Sequence, residues 1–258
     1  ADWDVELLAY APKTHRNAYS VNAGGYSEAS IYSINEERTV PVTGLPKGAL
    51  LDMRWSPDGE TLAVSLSGAS ANLDVWLVDG ASGEARQLTR SARAGIPRGT
   101  FTKPDLVHYP TFDGRQVPAF FYTPANTPKD SKMPVVVFVH GGPESQSRPD
   151  FNPVVQYLVH RGYGVLVPNV RGSTGYGSAY EHLDDVEKRM DAVKDLKHAQ
   201  EWLVESGYSR PKHIAVMGGS YGGFMVLAAI TTYPDAWGAA AELYGIANFE
   251  TFLANTGP

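Results

Sequence analysis

Ile214-Ala215-Val216-Met217-Gly218-Gly219-Ser220-Tyr221-Gly222-Gly223-Phe224-Met225 is the stretch on which the reading of the fold turns. Residues 213–217 have the length and apolar character of a buried strand, and 221–232 read as a helix. Between them Gly218-x-Ser220-x-Gly222 has the pattern of a strand–turn–helix bend so tight that its central residue takes a strained backbone conformation. Glycine is needed on both flanks for steric reasons, because a Cβ at Gly218 or Gly222 would strike the neighbouring strand or helix. Such a bend lifts the Ser220 hydroxyl clear of the sheet. It also aims the Tyr221 backbone N–H and the positive end of the following helix at the space beside that hydroxyl.

Working outward, the same grammar repeats. Residues 135–139 (Val-Val-Val-Phe-Val) form an unbroken apolar run, as expected of a strand buried on both faces of a parallel sheet. A short helix at 153–161, a second buried strand at 164–168 and a long helix at 184–205 follow. In the long helix Val186, Met190, Val193, Leu196, Ala199 and Leu203 recur at steps of three and four. Residues 239–243 read as a fourth strand. Strand–helix alternation of this kind makes the fold class α/β, with a parallel sheet flanked by helices. Just upstream, 107–111 and 116–122 form a hairpin around Phe112-Asp113-Gly114-Arg115.

The N-terminal third is different. Residues 5–9, 29–34, 50–55, 61–66 and 73–78 read as short strands separated by clusters such as Ser56-Pro57-Asp58-Gly59. A strand ending in Trp55, a Pro-Asp-Gly turn and two further strands make a meander. That unit fits a β-propeller blade or a plain antiparallel sheet, and the blade is favoured. The expected domains are 1–91 as the C-terminal part of a propeller, 92–104 as a linker, and 105–258 as the α/β catalytic portion.

Chemistry enters at two places. Ser220, on its tight bend, is the candidate nucleophile. A chance Gly-rich β–α turn is the plain alternative; a dinucleotide loop is disfavoured because no G-x-G-x-x-G follows the first strand. His140-Gly141-Gly142-Pro143, at the end of the first buried strand, is the second place. There glycine lets the backbone approach a substrate carbonyl, and the N–H groups of Gly142 and Tyr221 are the candidate oxyanion donors.

Together, His140-Gly-Gly-Pro143, Asn169-Val-Arg-Gly-Ser-Thr-Gly-Tyr-Gly177 and Gly218-Gly-Ser-Tyr-Gly-Gly-Phe224 resemble the prolyl oligopeptidase family of serine peptidases. The likeness extends to Arg189-Met-Asp-Ala-Val-Lys-Asp-Leu196 and Gly245-Ile-Ala-Asn-Phe249, and is strongest toward acylaminoacyl-peptidase and dipeptidyl-peptidase-like members. It covers residues 107–258 with specific motifs and 1–91 only as a generic propeller pattern. It implies a propeller followed by an α/β-hydrolase domain that cleaves short peptides, with neither metal nor cofactor. Where some members place a tyrosine hydroxyl to bind the oxyanion, this chain has His140, so the role passes to backbone N–H. In α/β-hydrolases the acid and the histidine follow the serine. Here Asp235, Glu242 and Glu250 follow Ser220 but no histidine does, so the expectation is a fragment cut at both ends, lacking the triad Asp and His.

The remaining histidines (His15, His108, His160, His182, His198, His213) read as ordinary surface residues. His140 is read as part of the oxyanion loop rather than as a base. Glu36-Glu37 reads as a solvated pair, Arg171 as a substrate contact or a structural ion pair, and Asp184-Asp185 with Asp191 and Asp195 as a charged helix face. Trp202 and Trp237 read as core. With 258 residues, 43% hydrophobic, 19% charged and a net charge of −6, the composition is that of a globular protein and argues against nucleic acid or anionic membrane as a partner. Cys 0 excludes disulfides, thiolate metal sites and a Cys nucleophile. No apolar run approaches the roughly 20 residues that span a bilayer. Specificity, oligomeric state and compartment are left open.

Overall fold

A computed structural model of the chain describes residues 3–97, 99–128 and 130–256. It divides into two compact units: Ala1–Lys103 with Arg148–Pro153, and Pro104–Ser147 with Val154–Pro258.

The first unit holds two four-stranded antiparallel sheets, each a meander in sequence order. One is built from β1 (Val5–Ala11), β2 (Arg16–Ala23), β3 (Tyr26–Ser33) and β4 (Arg38–Pro41). The other is built from β5 (Ala49–Trp55), β6 (Thr61–Gly68), β7 (Ala71–Asp79) and β8 (Ala85–Gln87). Ile31, Leu62, Val64, Leu66 and Val78 share one core, and the Trp55 indole N–H donates to the Ala9 carbonyl at 3.0 Å. Strands β2, β4 and β8 go beyond the sequence pattern. The inward residues of β2 are Ala18, Ser20 and Asn22, too small and polar to register as a hydrophobic alternation although all three are buried. Residues 148–153 group with this unit: Arg148 pairs with Glu6 at 2.6 Å and donates to the Gly25 carbonyl at 2.8 Å.

The second unit is a six-stranded sheet built from β9 (Asp105–Pro110), β10 (Gln116–Tyr122), β11 (Val135–Val139), β12 (Gly164–Pro168), β13 (Ile214–Gly219) and β14 (Ala239–Leu243). The spatial order is β14-β13-β11-β12-β10-β9. The hairpin β9–β10 is antiparallel and joins β12, while β11 to β14 run parallel. Every residue of β12, and all of β11 but Phe138, is buried, as the continuous apolar runs require. The helices are α1 (Pro153–His160), α2 (Ser178–Glu181), α3 (Arg189–Glu205), α4 (Tyr221–Thr232) and α5 (Phe249–Asn255). Leu196, Ala199 and Leu203 of α3 join Met225 and Val226 of α4, and Val137, Leu166 and Val216 of the sheet, in one core that includes Trp237. Among the described residues no helix is long and apolar enough to cross a membrane.

Two sequence expectations are corrected here. The long helix starts at Arg189, not 184; residues 178–188 form the short α2 and two 3-10 turns instead. Nor do its acids form one solvated face. Asp195 is fully buried and Asp184 nearly so, each taken up by an arginine, whereas Asp191 pairs with Lys194 in the expected way. A carboxylate inside a protein survives only when paired and hydrogen-bonded. Asp195 accepts from the Thr111 hydroxyl at 2.6 Å and from the Arg171 guanidinium and backbone N–H, while Arg171 also reaches Asp113. Desolvation works against the Arg171 charge, but its bonds to Asp195 and then Asp113 prevail and raise its pKa. Arg171 is therefore a structural ion pair tying the β9–β10 turn to α3. Thr111→Val is expected to lower stability by about 2 kcal/mol, because the lost bond leads to a buried charge. In thermal denaturation that is a fall of about 4–8 °C; an unchanged melting temperature would show the network to be idle.

Candidate active site

Ser220 sits between β13 and α4 with φ 57° and ψ −123°, a region that side-chain-bearing residues rarely enter. The turn is held by Ser220 N–H donating to the Leu243 carbonyl of β14 at 3.1 Å, and by Phe224 N–H donating back to the Ser220 carbonyl at 3.1 Å. Glycine is required by close approach. A Cβ on Gly218 would lie 2.6 Å from the Gly222 carbonyl oxygen and 2.9 Å from that of Val139. One on Gly222 would lie 2.7 Å from the His140 oxygen and closer still to that of Val139. Backbone thus meets backbone where β11, β13 and α4 converge, and Ser220 is pushed outward: it is exposed while Tyr221 and Gly222 behind it are buried.

That exposed hydroxyl stands between the start of α4 and the loop after β11. The backbone N–H groups of Tyr221, Gly222 and Gly223 precede the first α4 hydrogen bond, so they are free at the positive end of a 12-residue helix. On the other side stands the loop after β11. The Cβ position of Gly141 lies 3.5 Å from Ser220 Cβ and 3.9 Å from Ser220 Oγ, so this loop flanks the serine side chain in van der Waals contact. The next residue, Gly142, has φ 129°. Ser220, Tyr221 and the Gly141 flank of the loop are therefore neighbours.

The loop is well anchored. His140 Nδ1 lies 2.6 Å from the Gly141 carbonyl oxygen and Nε2 3.0 Å from Ser173 Oγ. A carbonyl can only accept, so the neutral ring carries its proton on Nδ1; Nε2 lies against Ser173 Oγ, whose own proton goes to the Val170 carbonyl at 2.6 Å. Desolvation holds this imidazole below the usual histidine range, outweighing the opposing pull of Gly141. Held through Nδ1 and packed against Ser173, His140 is an anchor of the loop. Further along, the fully buried Asn169 side chain accepts from Ser147 N–H at 2.6 Å and donates to the Ser147 carbonyl at 3.0 Å, and Thr174 N–H donates to the Ser145 carbonyl. The Asn169–Gly177 motif is thus the scaffold against which the loop is set.

Other residues fall away from Ser220's chemistry. Glu36 and Glu37 are exposed on a turn, and Glu36 pairs with Arg38. His182 is exposed beside Asp185, and His198 is half-buried against Glu201. Among the described residues no cluster of three or more His, Cys, Asp or Glu side chains could hold a metal ion. What sequence reading missed is the environment of the Tyr221 side chain, whose hydroxyl donates to Asp184 at 3.1 Å and accepts from Arg189 at 3.2 Å. Charged residues 32 and 37 positions upstream give no local signal of such a contact.

Comparison with known proteins points one way. Residues 149–257 match the profile of the prolyl oligopeptidase family. The chain is 30% identical over 207 residues to dipeptidyl aminopeptidase BIII of Pseudoxanthomonas mexicana, covering 78% of this chain and 30% of that protein. It is 34% identical over 142 residues to the acylamino-acid-releasing enzyme of Arabidopsis thaliana, covering 54% of this chain and 18% of that one. A puromycin-hydrolyzing peptidase of Mycobacterium tuberculosis superposes with TM-score 0.81 at 28% identity, over 94% of this chain and 38% of its own. The chain thus spans well under half the length of each of these relatives.

Proposed function

We propose that the protein is a serine peptidase acting on short peptides, with Ser220 as its nucleophile, a reading supported by the match of residues 149–257 to the prolyl oligopeptidase family profile. In this reading Ser220 Oγ attacks the scissile carbonyl carbon, and the N–H groups of Tyr221 and Gly142 receive the oxyanion of the tetrahedral intermediate. Collapse of the intermediate expels the amine and leaves an ester on Ser220, which water then hydrolyses. The observation that carries the reading is the exposed Ser220 at φ 57°, set between the free N–H groups of α4 and the Gly141 flank of the loop.

A general base is required to take the Ser220 proton. Every histidine of this sequence precedes Ser220, and His140, the one in the loop beside it, is turned to the Gly141 carbonyl through Nδ1 and to Ser173 through Nε2. We assign the base to a histidine, oriented by a carboxylate, in sequence outside residues 1–258. We read the unit containing the second sheet system as an α/β-hydrolase domain over residues 105–258. The two meanders within 1–91 are then blades of a β-propeller and 92–104 the linker.

A carboxylesterase using the same serine is the competing reading. The test compares a dipeptidyl or N-acyl-aminoacyl anilide with a p-nitrophenyl ester on the full-length protein. Amide turnover with kcat/KM above about 10⁴ M⁻¹s⁻¹, within the ordinary enzyme range, is the expected result. Ester cleavage without measurable amide cleavage would replace the peptidase with the esterase.

A further inference from the structure

Tyr221 carries more than a backbone N–H. It opens α4, its side chain is buried, and its hydroxyl lies between two charged groups from elsewhere in the unit. The hydroxyl donates to Asp184 Oδ2 at 3.1 Å and accepts from Arg189 Nη1 at 3.2 Å, and the same Arg189 nitrogen donates to Asp184 Oδ2. The guanidinium carbon also stands 5.3 Å from the Tyr221 ring centroid. Asp184 ends a 3-10 turn and Arg189 begins α3, so two elements converge on one phenol.

Asp184 is itself fixed from below. Its side chain is 3% exposed and packs on Gly172, where a Cβ would fall 2.6 Å from Asp184 Oδ2. Gly172 has φ 92°, and its N–H donates to the Tyr180 carbonyl at 3.1 Å. Desolvation raises the Asp184 pKa despite the arginine, so the carboxylate is held in a place that does not favour its charge. A buried ion pair of this kind contributes little net stability compared with apolar packing, but it fixes geometry through directional bonds. That geometry ends on the residue after Ser220.

Resting on the peptidase reading above, we propose that Asp184 and Arg189 are positioning residues for the reaction, acting through the Tyr221 hydroxyl to hold the Tyr221 N–H on the oxyanion. The Tyr221 backbone can turn about its Cα unless its side chain is fixed at the far end, and the phenol is fixed there by two hydrogen bonds to partners that are themselves bonded to each other. Oxyanion donors act only at hydrogen-bond distance from a transient position, so small rotations cost rate rather than substrate affinity.

The test is made on the full-length protein with four variants. Tyr221→Phe keeps the ring and its packing and removes only the hydroxyl. It is expected to lower kcat by about 10- to 100-fold, the scale of a small misplacement near the reacting centre, with KM changed less than twofold. Affinity for a peptidyl boronic acid, whose tetrahedral adduct occupies the same donors, should fall by the same factor as kcat/KM. Asp184→Asn preserves an acceptor for the phenol and is expected to keep most of the activity, while Asp184→Ala should match Tyr221→Phe. If Tyr221→Phe leaves kcat and boronate affinity within twofold of wild type, the network is only a brace between α3 and α4 and the proposal fails. The fourth variant, Ser220→Ala, separates that failure from one of the peptidase reading. A dead Ser220→Ala beside a normal Tyr221→Phe overturns the positioning role alone, whereas an active Ser220→Ala overturns both.

Discussion

Replacing Ser220 by alanine in the full-length protein is expected to lower kcat on a peptidyl anilide by about 10⁴- to 10⁶-fold, the scale seen when a catalytic serine is removed. Stability should hardly move. The side chain is exposed, alanine keeps the backbone strain unchanged, and exposed substitutions shift stability by about 0.5 kcal/mol or less. The residual rate would come from binding and from the N–H groups of α4 and the loop after β11, which remain in place. By the same logic the 258-residue chain alone, with no histidine after position 213, should turn over no faster than this variant. Parallel assays of kcat and melting temperature decide the matter: a Ser220→Ala protein retaining more than about one hundredth of wild-type turnover would remove the residue from the mechanism.

Gly222→Ala tests the backbone beneath the serine. The new methyl would press on the carbonyl oxygens of Val139 and His140. Neither can withdraw cheaply, because Val139 is paired in register with Gly218 across β11 and β13, and His140 begins the loop that flanks Ser220. Overpacking against fixed backbone belongs at the upper end of the usual range, about 3 kcal/mol. For a chain of this size that is a fall of about 6–12 °C in melting temperature. Turnover should drop by about 100-fold in the molecules that remain folded, since relief of the clash displaces either Ser220 or the loop. Gly99→Ala, where nothing lies within 4 Å of the added carbon, is the control and should match wild type in both measurements. A Gly222→Ala protein that melts with the control would show that the convergence of β11, β13 and α4 is looser than the distances describe.

Much of the α/β unit was legible because its signals are local. The runs at 135–139 and 164–168 are buried on both faces, and a sequence shows that directly as unbroken hydrophobicity. Gly218-x-Ser220-x-Gly222 was legible for a different reason: the glycines fall within five residues at a strand–turn–helix bend, although the backbone they must clear includes Val139 and His140. What could not be read depends on distant partners. Asp184 and Asp195 looked like solvated charge because their spacing is helical and it does not mark the partners that draw them inward, Tyr221 being 37 positions from Asp184 and Thr111 84 from Asp195. The start of the long helix was misplaced for the same cause, since Asp184 is drawn into the interior and the chain takes 3-10 turns to bring it there. Strand β2 escaped notice because Ala18, Ser20 and Asn22 fill its inner face. Helix α5 had a usable sign that was overlooked: Asn248 caps it, its side chain accepting from Thr251 N–H at 3.0 Å.

Gly172 and Ser173 are adjacent in one turn, yet they face different tasks: Ser173 steadies His140, and Gly172 is the floor under Asp184. A shift of that turn by a fraction of an ångström is felt on both sides of the serine at once, because packed interiors pass displacement on rather than absorb it. The two halves of the cradle thus share one support, and a change in this turn reaches both.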